Sequence, residues 1–148
     1  MKWNASHSTG SAALDQQHQV LIEYVNRLGT LTQGQFGQKS AYEEMLKILD
    51  FLDFYSREHF RAEEACMHAF QCPAHQKNKD SHAQFLLTYG QFKNQLKYEG
   101  LTLPIMRSIH QYLSLWVSTH FQEIDAQLMP CIKGRPRPTD QPKDRPRL

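Results

Sequence analysis

Six residues of this 148-residue chain have the types and spacings that metal chemistry uses: His18, His59 with Glu63, His82, and His120 with Asp125. His59 and Glu63 are four apart, so a helix sets both on one face, as chelation of a shared ion requires. His120 and Asp125 are five apart, about 140° around an ideal helix, so that carboxylate must reach sideways or the helix must loosen. Six nitrogen and oxygen donors without a thiolate are too many for tetrahedral zinc, and two carboxylates from different segments suit the bridging of two ions. Imidazole-rich ligation favours iron over manganese.

The segments that must position these residues read as four helices from their apolar spacing. The first spans about residues 13 to 33, with Leu14, His18, Leu21, Val25 and Leu28 stepping by four and three, and Gly34 and Gly37 ending it. The second, about 40 to 70, has a candidate cap at Ser40 with Glu43 three residues on. Its seam is Met45, Leu49, Leu52, Ser56, His59, Glu63, Cys66 and Phe70. Pro73 separates it from a third, about 74 to 98, whose seam is His75, Asn78, His82, Phe85, Tyr89, Phe92 and Leu96, closed by Gly100. The fourth, about 103 to 132, turns Met106, Ile109, Leu113, Trp116, Val117, His120, Ile124 and Leu128 inward, with Pro104 in its permissive first turn. Short connections between long helices predict an all-α, up-down-up-down antiparallel four-helix bundle.

That topology fixes where the polar interruptions fall. Starts of odd helices and ends of even helices share one end of the bundle. His18 and His82 lie near starts, and His59, Glu63, His120 and Asp125 near ends, each on the order of one to three turns in. Any one of these residues alone reads as a satisfied core histidine or a capped carboxylate. Together, four imidazoles and two carboxylates buried without a cation would cost several kcal/mol per ion. A buried, histidine-rich, carboxylate-bridged pair of metal ions removes that cost.

Composition bounds the remainder. Hydrophobic residues make up 40% and charged residues 22%, ordinary for a globular domain, and no apolar run approaches the roughly 20 residues of a membrane span. The opening "MKWNASHSTG" lacks the basic-then-apolar pattern of a secretory signal, so a cytoplasmic protein is expected. The formal charge of +2 misleads, because "GRPRPTDQPKDRPRL", residues 134 to 148, carries five basic and two acidic residues. Without it, 12 basic and 13 acidic residues remain. Four of the seven prolines also lie there, so residues 1 to 133 are expected to form the bundle and 134 to 148 a solvated, disordered tail. The tail has no aromatics for base stacking, and no nucleic-acid or membrane partner is expected. Cys66, Cys72 and Cys131 cannot all pair within one chain and form no C-x-x-C, which fits reduced thiols in a reducing compartment. A zinc site from Cys66, His68 and Cys72 would lack its fourth ligand.

The stretches "LDQQHQVLIEYVNRL", "HFRAEEACM", "KDSHAQF" and "HFQEID" resemble the bacterial hemerythrin family, whose pattern is one His, then H-x-x-x-E, H-x-x-x-H and H-x-x-x-x-D. The likeness covers about residues 3 to 130, including Trp3 and the stretch from Gly10 to Asp15. It implies an oxo- or hydroxo-bridged di-iron centre that binds O2 reversibly. His18 and His59 would fall on the O2-binding iron, His82 and His120 on its partner, and Glu63 and Asp125 on the bridge. The family's H-x-x-x-H should occupy positions 78 and 82, yet the chain reads "NKDSH", so Asn78 replaces one histidine of the three-histidine iron. An Asn carbonyl is a weaker, neutral donor, which leaves direct ligation or a bridging water at Asn78 and a second iron held less firmly. His75 lies roughly 10 Å from His82 along the helix axis, too far to share an ion unless the helix start unwinds.

Trp116, Val117 and Phe121 flank His120, Leu21 sits a turn from His18, and Phe60 adjoins His59, an apolar setting that suits O2 binding and equally a plain core. Met67 reads as core filler. The expected function is O2 carriage, storage or sensing by a monomer with no catalytic cycle. The alternatives are a di-iron enzyme acting on peroxide or nitric oxide, and a regulatory module with a structural metal.

Overall fold

The computed structural model describes residues 1–34 and 37–134; the basic tail lies outside the described residues except for Gly134. Four long helices carry the fold: α1 (Ala12–Gly34), α2 (Lys39–Ala69), α3 (His75–Glu99) and α4 (Leu103–Glu123). A 3-10 helix, Ala5–His7, precedes them. A second one, Asp125–Gln127, and a six-residue helix, α5 (Leu128–Lys133), follow. Helix α1 packs on α2 and α4, and α3 on the same two, which closes the bundle in chain order.

The expected boundaries hold within two residues for α1 to α3. Gly100 ends α3 at φ 77°, a conformation glycine adopts without penalty, and Thr102 caps α4 by accepting from the Ile105 amide, with Pro104 in the first turn. The expected cap at Ser40 is not made. Helix α2 starts one residue earlier with Gln38 at its cap and no side-chain bond there. The fourth helix is also not continuous to residue 132: it stops at Glu123, where Ile124 adopts φ −114°.

The predicted inward seams are buried along α1 and most of α2 and α4, whereas Cys66, His75, Phe92, Leu96 and Trp116 are half-buried. Helices α1 and α4 approach closely at Gly29, where a Cβ would lie 2.5 Å from His110 Nε2, so the imidazole fills the space a side chain would take.

Two apolar clusters fill the interior. The large one runs from Leu21 to Phe121 through all four helices; the small one joins Leu14, Met67, Cys72, Ala74 and Leu128. On each helix the polar residues of interest fall between members of the two clusters. His18 lies between Leu14 and Leu21, Glu63 between Phe60 and Met67, Asn78 and His82 between Ala74 and Phe85, and Asp125 between Phe121 and Leu128. The polar layer is therefore closed off by the apolar body on one side and by a small plug on the other.

Candidate metal centre

All six predicted residues meet in this layer, and none is more than 4% exposed. Their donor atoms form two groups in which the atoms lie within 4.8 Å of one another: His18, His59, Glu63 and Asp125, and Glu63, His82, His120 and Asp125. The two carboxylates belong to both groups and divide their oxygens between them. Glu63 Oε2 lies 3.1 Å from His18 Nε2 and 3.4 Å from His59 Nε2, while its Oε1 lies 3.2 Å from His82 Nε2. Asp125 Oδ2 lies 3.2 Å from His18 Nε2, and Oδ1 lies 2.9 Å from His120 Nε2.

The break in the fourth helix makes the last of these contacts possible. On a continuous helix Asp125 would point away from His120; the 3-10 turn at Asp125–Gln127 brings its carboxylate back into the layer, with the Ile124 amide still bonded to the His120 carbonyl. Of the two routes open to a five-residue spacing, the chain takes the loosened helix.

Partners outside the layer orient three of the four imidazoles. His59 Nδ1 donates to Gln17 Oε1 at 2.7 Å and His82 Nδ1 to the Glu64 carboxylate at 3.2 Å, and His120 Nδ1 lies 2.9 Å from Ser81 Oγ. With protons on the outer nitrogens of His59 and His82, their inward Nε2 atoms carry lone pairs, the tautomer that binds metal. Gln17, Glu64 and Ser81 were not singled out in the sequence. Each directly follows or precedes a residue of the layer, so it sits about 100° around its own helix and faces the ring of a neighbouring one. Polar neighbours of a seam histidine or carboxylate are the signal that could have found them.

The inner atoms fit a cation better than they fit one another. His82 Nε2 and His120 Nε2 face each other at 3.1 Å, and His59 Nε2 and both Asp125 oxygens are buried without an aligned hydrogen bond despite their short approaches. Imidazole and carboxylate donors that converge on common points are arranged for metal ions. In the metal-free cluster a proton substitutes: burial alone would lower His18, but the carboxylates of Asp125 and Glu63 outweigh it and raise His18 to about 9. Burial likewise opposes ionisation of Glu63, yet the imidazoles of His18, His59 and His82 close around it hold its carboxyl well below its ordinary value.

Asn78 is completely buried on the His82 face of α3. Its Nδ2 donates to Glu63 Oε1 at 2.7 Å and to Met67 Sδ at 3.4 Å, while its Oδ1 has no partner. His75 does not join the layer; it is half-buried with its ring 5.4 Å from that of His68. Aromatic rings shield the imidazoles. Phe121 stacks on His18 at 3.8 Å, Phe60 on His82 at 3.8 Å, and Trp116 on His120 at 4.1 Å. Phe60 and Phe121 thus serve partners other than the histidines they adjoin in sequence.

The cysteines overturn an expectation. Cys72 and Cys131 form a disulfide, with Cα atoms 5.6 Å apart, and only Cys66 is free. Three reduced thiols are not what the fold presents, because the turn after α2 and the end of α5 meet over the plug. The Cys66, His68 and Cys72 zinc alternative fails with it: Cys72 is taken up in the bridge and His68 is exposed.

A four-helix bundle enclosing a buried layer of histidines shared between two carboxylates defines a metal-binding helical protein. Residues 9–132 match the hemerythrin HHE cation binding domain, and the chain belongs to that family. Solved structures agree on the fold. A wild-type hemerythrin superposes with TM-score 0.72 at 23% identity, covering 89% of this chain and 97% of that one. A leucine-to-tyrosine variant of hemerythrin gives 0.70 at 22%, covering 88% and 95%. Comparison with curated proteins returns no significant match. The buried His, Glu and Asp cluster is the candidate metal site of this family member.

Proposed function

We propose that the protein holds two iron ions in this layer and binds O2 reversibly, for carriage, storage or sensing. The observation that carries the reading is the division of both carboxylates between the two donor groups, one oxygen of each per group. His18 and His59 would hold one ion, His82 and His120 the other, and Glu63 and Asp125 would reach both. When bound, the iron pair supplies the electrons that O2 takes up and returns.

The protein's own residues supply the surroundings. Gln17 and Glu64 keep the His59 and His82 imidazoles in the binding tautomer, and Ser81 holds the His120 ring in place. Phe121 and Phe60, both buried, keep water from the faces of His18 and His82. Asn78 makes the second group weaker, because its N–H occupies the Glu63 oxygen that faces His82. Rotation of the amide would present Oδ1 instead, an atom with no bond to lose. An enzyme acting on peroxide or nitric oxide would need a proton-delivering residue beside an open coordination site, a role the Asn78 amide does not fill, since it donates a hydrogen bond without releasing its proton.

Iron content of the anaerobically loaded protein, together with its visible spectrum before and after O2, tests the proposal. Between one and two irons per chain, the second more easily lost, and a band that appears with O2 and fades on its removal are expected. No iron uptake, or no O2-dependent band, would end it.

A further inference from the structure

The small apolar plug over the metal layer contains one end of the disulfide. Cys72 lies six residues before Asn78, and Cys131 six residues after Asp125, so the bridge ties together the two chain segments that lead into the layer. Both segments are irregular or short. Gln71 sits at φ 52°, in the left-handed region that non-glycine residues avoid, and α5 is too short to persist as an isolated helix. The 3-10 turn that aims Asp125 is anchored from behind by Leu128, itself a member of the plug.

The two sulfurs differ in access. Cys72 is only 4% exposed, whereas Cys131 is half-buried, and both line an open cleft of about 410 Å³ with Gln71, Pro73, Pro130 and Gly134. Each sulfur also lies 3.5 Å from the Gln127 carbonyl, which can accept an S–H bond from either one once the bridge is open. The carbonyl involved belongs to the turn that carries Asp125.

We propose that Cys72–Cys131 is a thiol–disulfide exchange site whose redox state sets how firmly the plug closes over the metal layer. The reacting class is a dithiol. Its thiolate attacks Cys131 Sγ from the cleft, a new S–S bond forms there, and the Cys72–Cys131 bond breaks with its electron pair on Cys72, which takes up a proton. The second thiol then attacks its own sulfur in the mixed disulfide, releasing Cys131 as a thiolate that is protonated in turn. The bridge gains two electrons and two protons, and the dithiol leaves as a disulfide. The opened plug lets the Asp125 turn and the start of α3 fluctuate, so metal leaves more readily.

The consequence for the metal rests on the proposed function; the exchange chemistry does not. The test uses full-length, ferrous-loaded protein under anaerobic conditions, oxidised or reduced with dithiothreitol and desalted, beside Cys72→Ser/Cys131→Ser. Free thiols should rise from one to three on reduction, and glutathione should be trapped on Cys131 rather than Cys72. Iron loss to a chromogenic chelator should be faster by about fivefold or more in the reduced protein and in the double variant alike, with no further change when the variant is treated with reductant. Three free thiols before reduction, glutathione on Cys72, or equal iron loss in the two states would overturn the proposal. If iron binds in neither state, the functional reading fails instead. Amide hydrogen exchange of the metal-free protein then decides the clasp: faster exchange over residues 70 to 78 and 124 to 133 after reduction supports it, and unchanged exchange overturns it.

Discussion

Replacing Asn78 by histidine should move the metal-free and metal-loaded proteins in opposite directions. In the metal-free fold the position is fully buried against Met67, and a larger ring there overpacks the plug at a cost of about 1–3 kcal/mol. For a domain of this size that lowers the melting temperature by about 2–4 °C per kcal/mol. In the loaded protein the sign reverses. As it stands, an ion in the His82 and His120 group must compete with the 2.7 Å bond from Asn78 to Glu63 Oε1, or the amide must rotate and give that bond up. A hydrogen bond to a charged group is worth about 1.5–3 kcal/mol, which corresponds to a factor on the order of ten to a hundred in affinity. Asn78→His removes the competitor and adds a nitrogen donor. Iron per chain should therefore rise toward two, and the more labile ion should leave to a chelator at least about tenfold more slowly. Chelator kinetics by stopped flow and calorimetric melting of both forms provide the readouts. Two tightly held ions in the parent, unchanged in Asn78→His, would refute the argument. Asn78→Ala separates its two halves, since it removes the competing N–H without adding a donor, and should fall between the parent and the histidine variant.

Iron should raise the melting temperature of the parent, because the ions bind the folded cluster and remove the repulsions of its unprotonated donors; calorimetry with and without iron checks this. Metal uptake should release a proton near pH 7 to 8, measurable by titration calorimetry in buffers of different ionisation enthalpy. His18, raised to about 9, stabilises the metal-free fold fully below about pH 6.5 and loses that contribution as pH rises through 9, so apparent metal affinity should climb over the same interval. Gln17→Ala frees the His59 ring from its 2.7 Å partner and should weaken metal binding by about 10–100-fold with little loss of helix content by circular dichroism. Deleting residues 134 to 148 should leave iron content and spectrum unchanged, since none of the six metal-site candidates lies there.

Much of the site was determined locally. A seam that steps by three and four is a property of one helix, so Leu14, His18 and Leu21, or Phe60, Glu63 and Met67, declare their shared face wherever the helix ends up. Helix lengths and short connections then dictate antiparallel neighbours, and with them the common level of His18, His59, Glu63, His82 and His120. What the sequence left open depends on contacts between helices. Asp125 was five residues from His120, and only packing of Leu128 into the plug decides that the helix breaks at Ile124 rather than carrying the carboxylate away. Asn78 was legible as a departure from a family pattern, but whether its oxygen or its nitrogen faces Glu63 is set by the charge of a carboxylate 15 residues away on another helix. The cap at Ser40 was misjudged because a single interaction worth about 1 kcal/mol does not hold a boundary against the packing of Ala41 and Met45. The pairing of Cys72 with Cys131, 59 positions apart, was out of reach for the same reason: three cysteines admit several partners, and only the fold brings two Cα atoms to 5.6 Å.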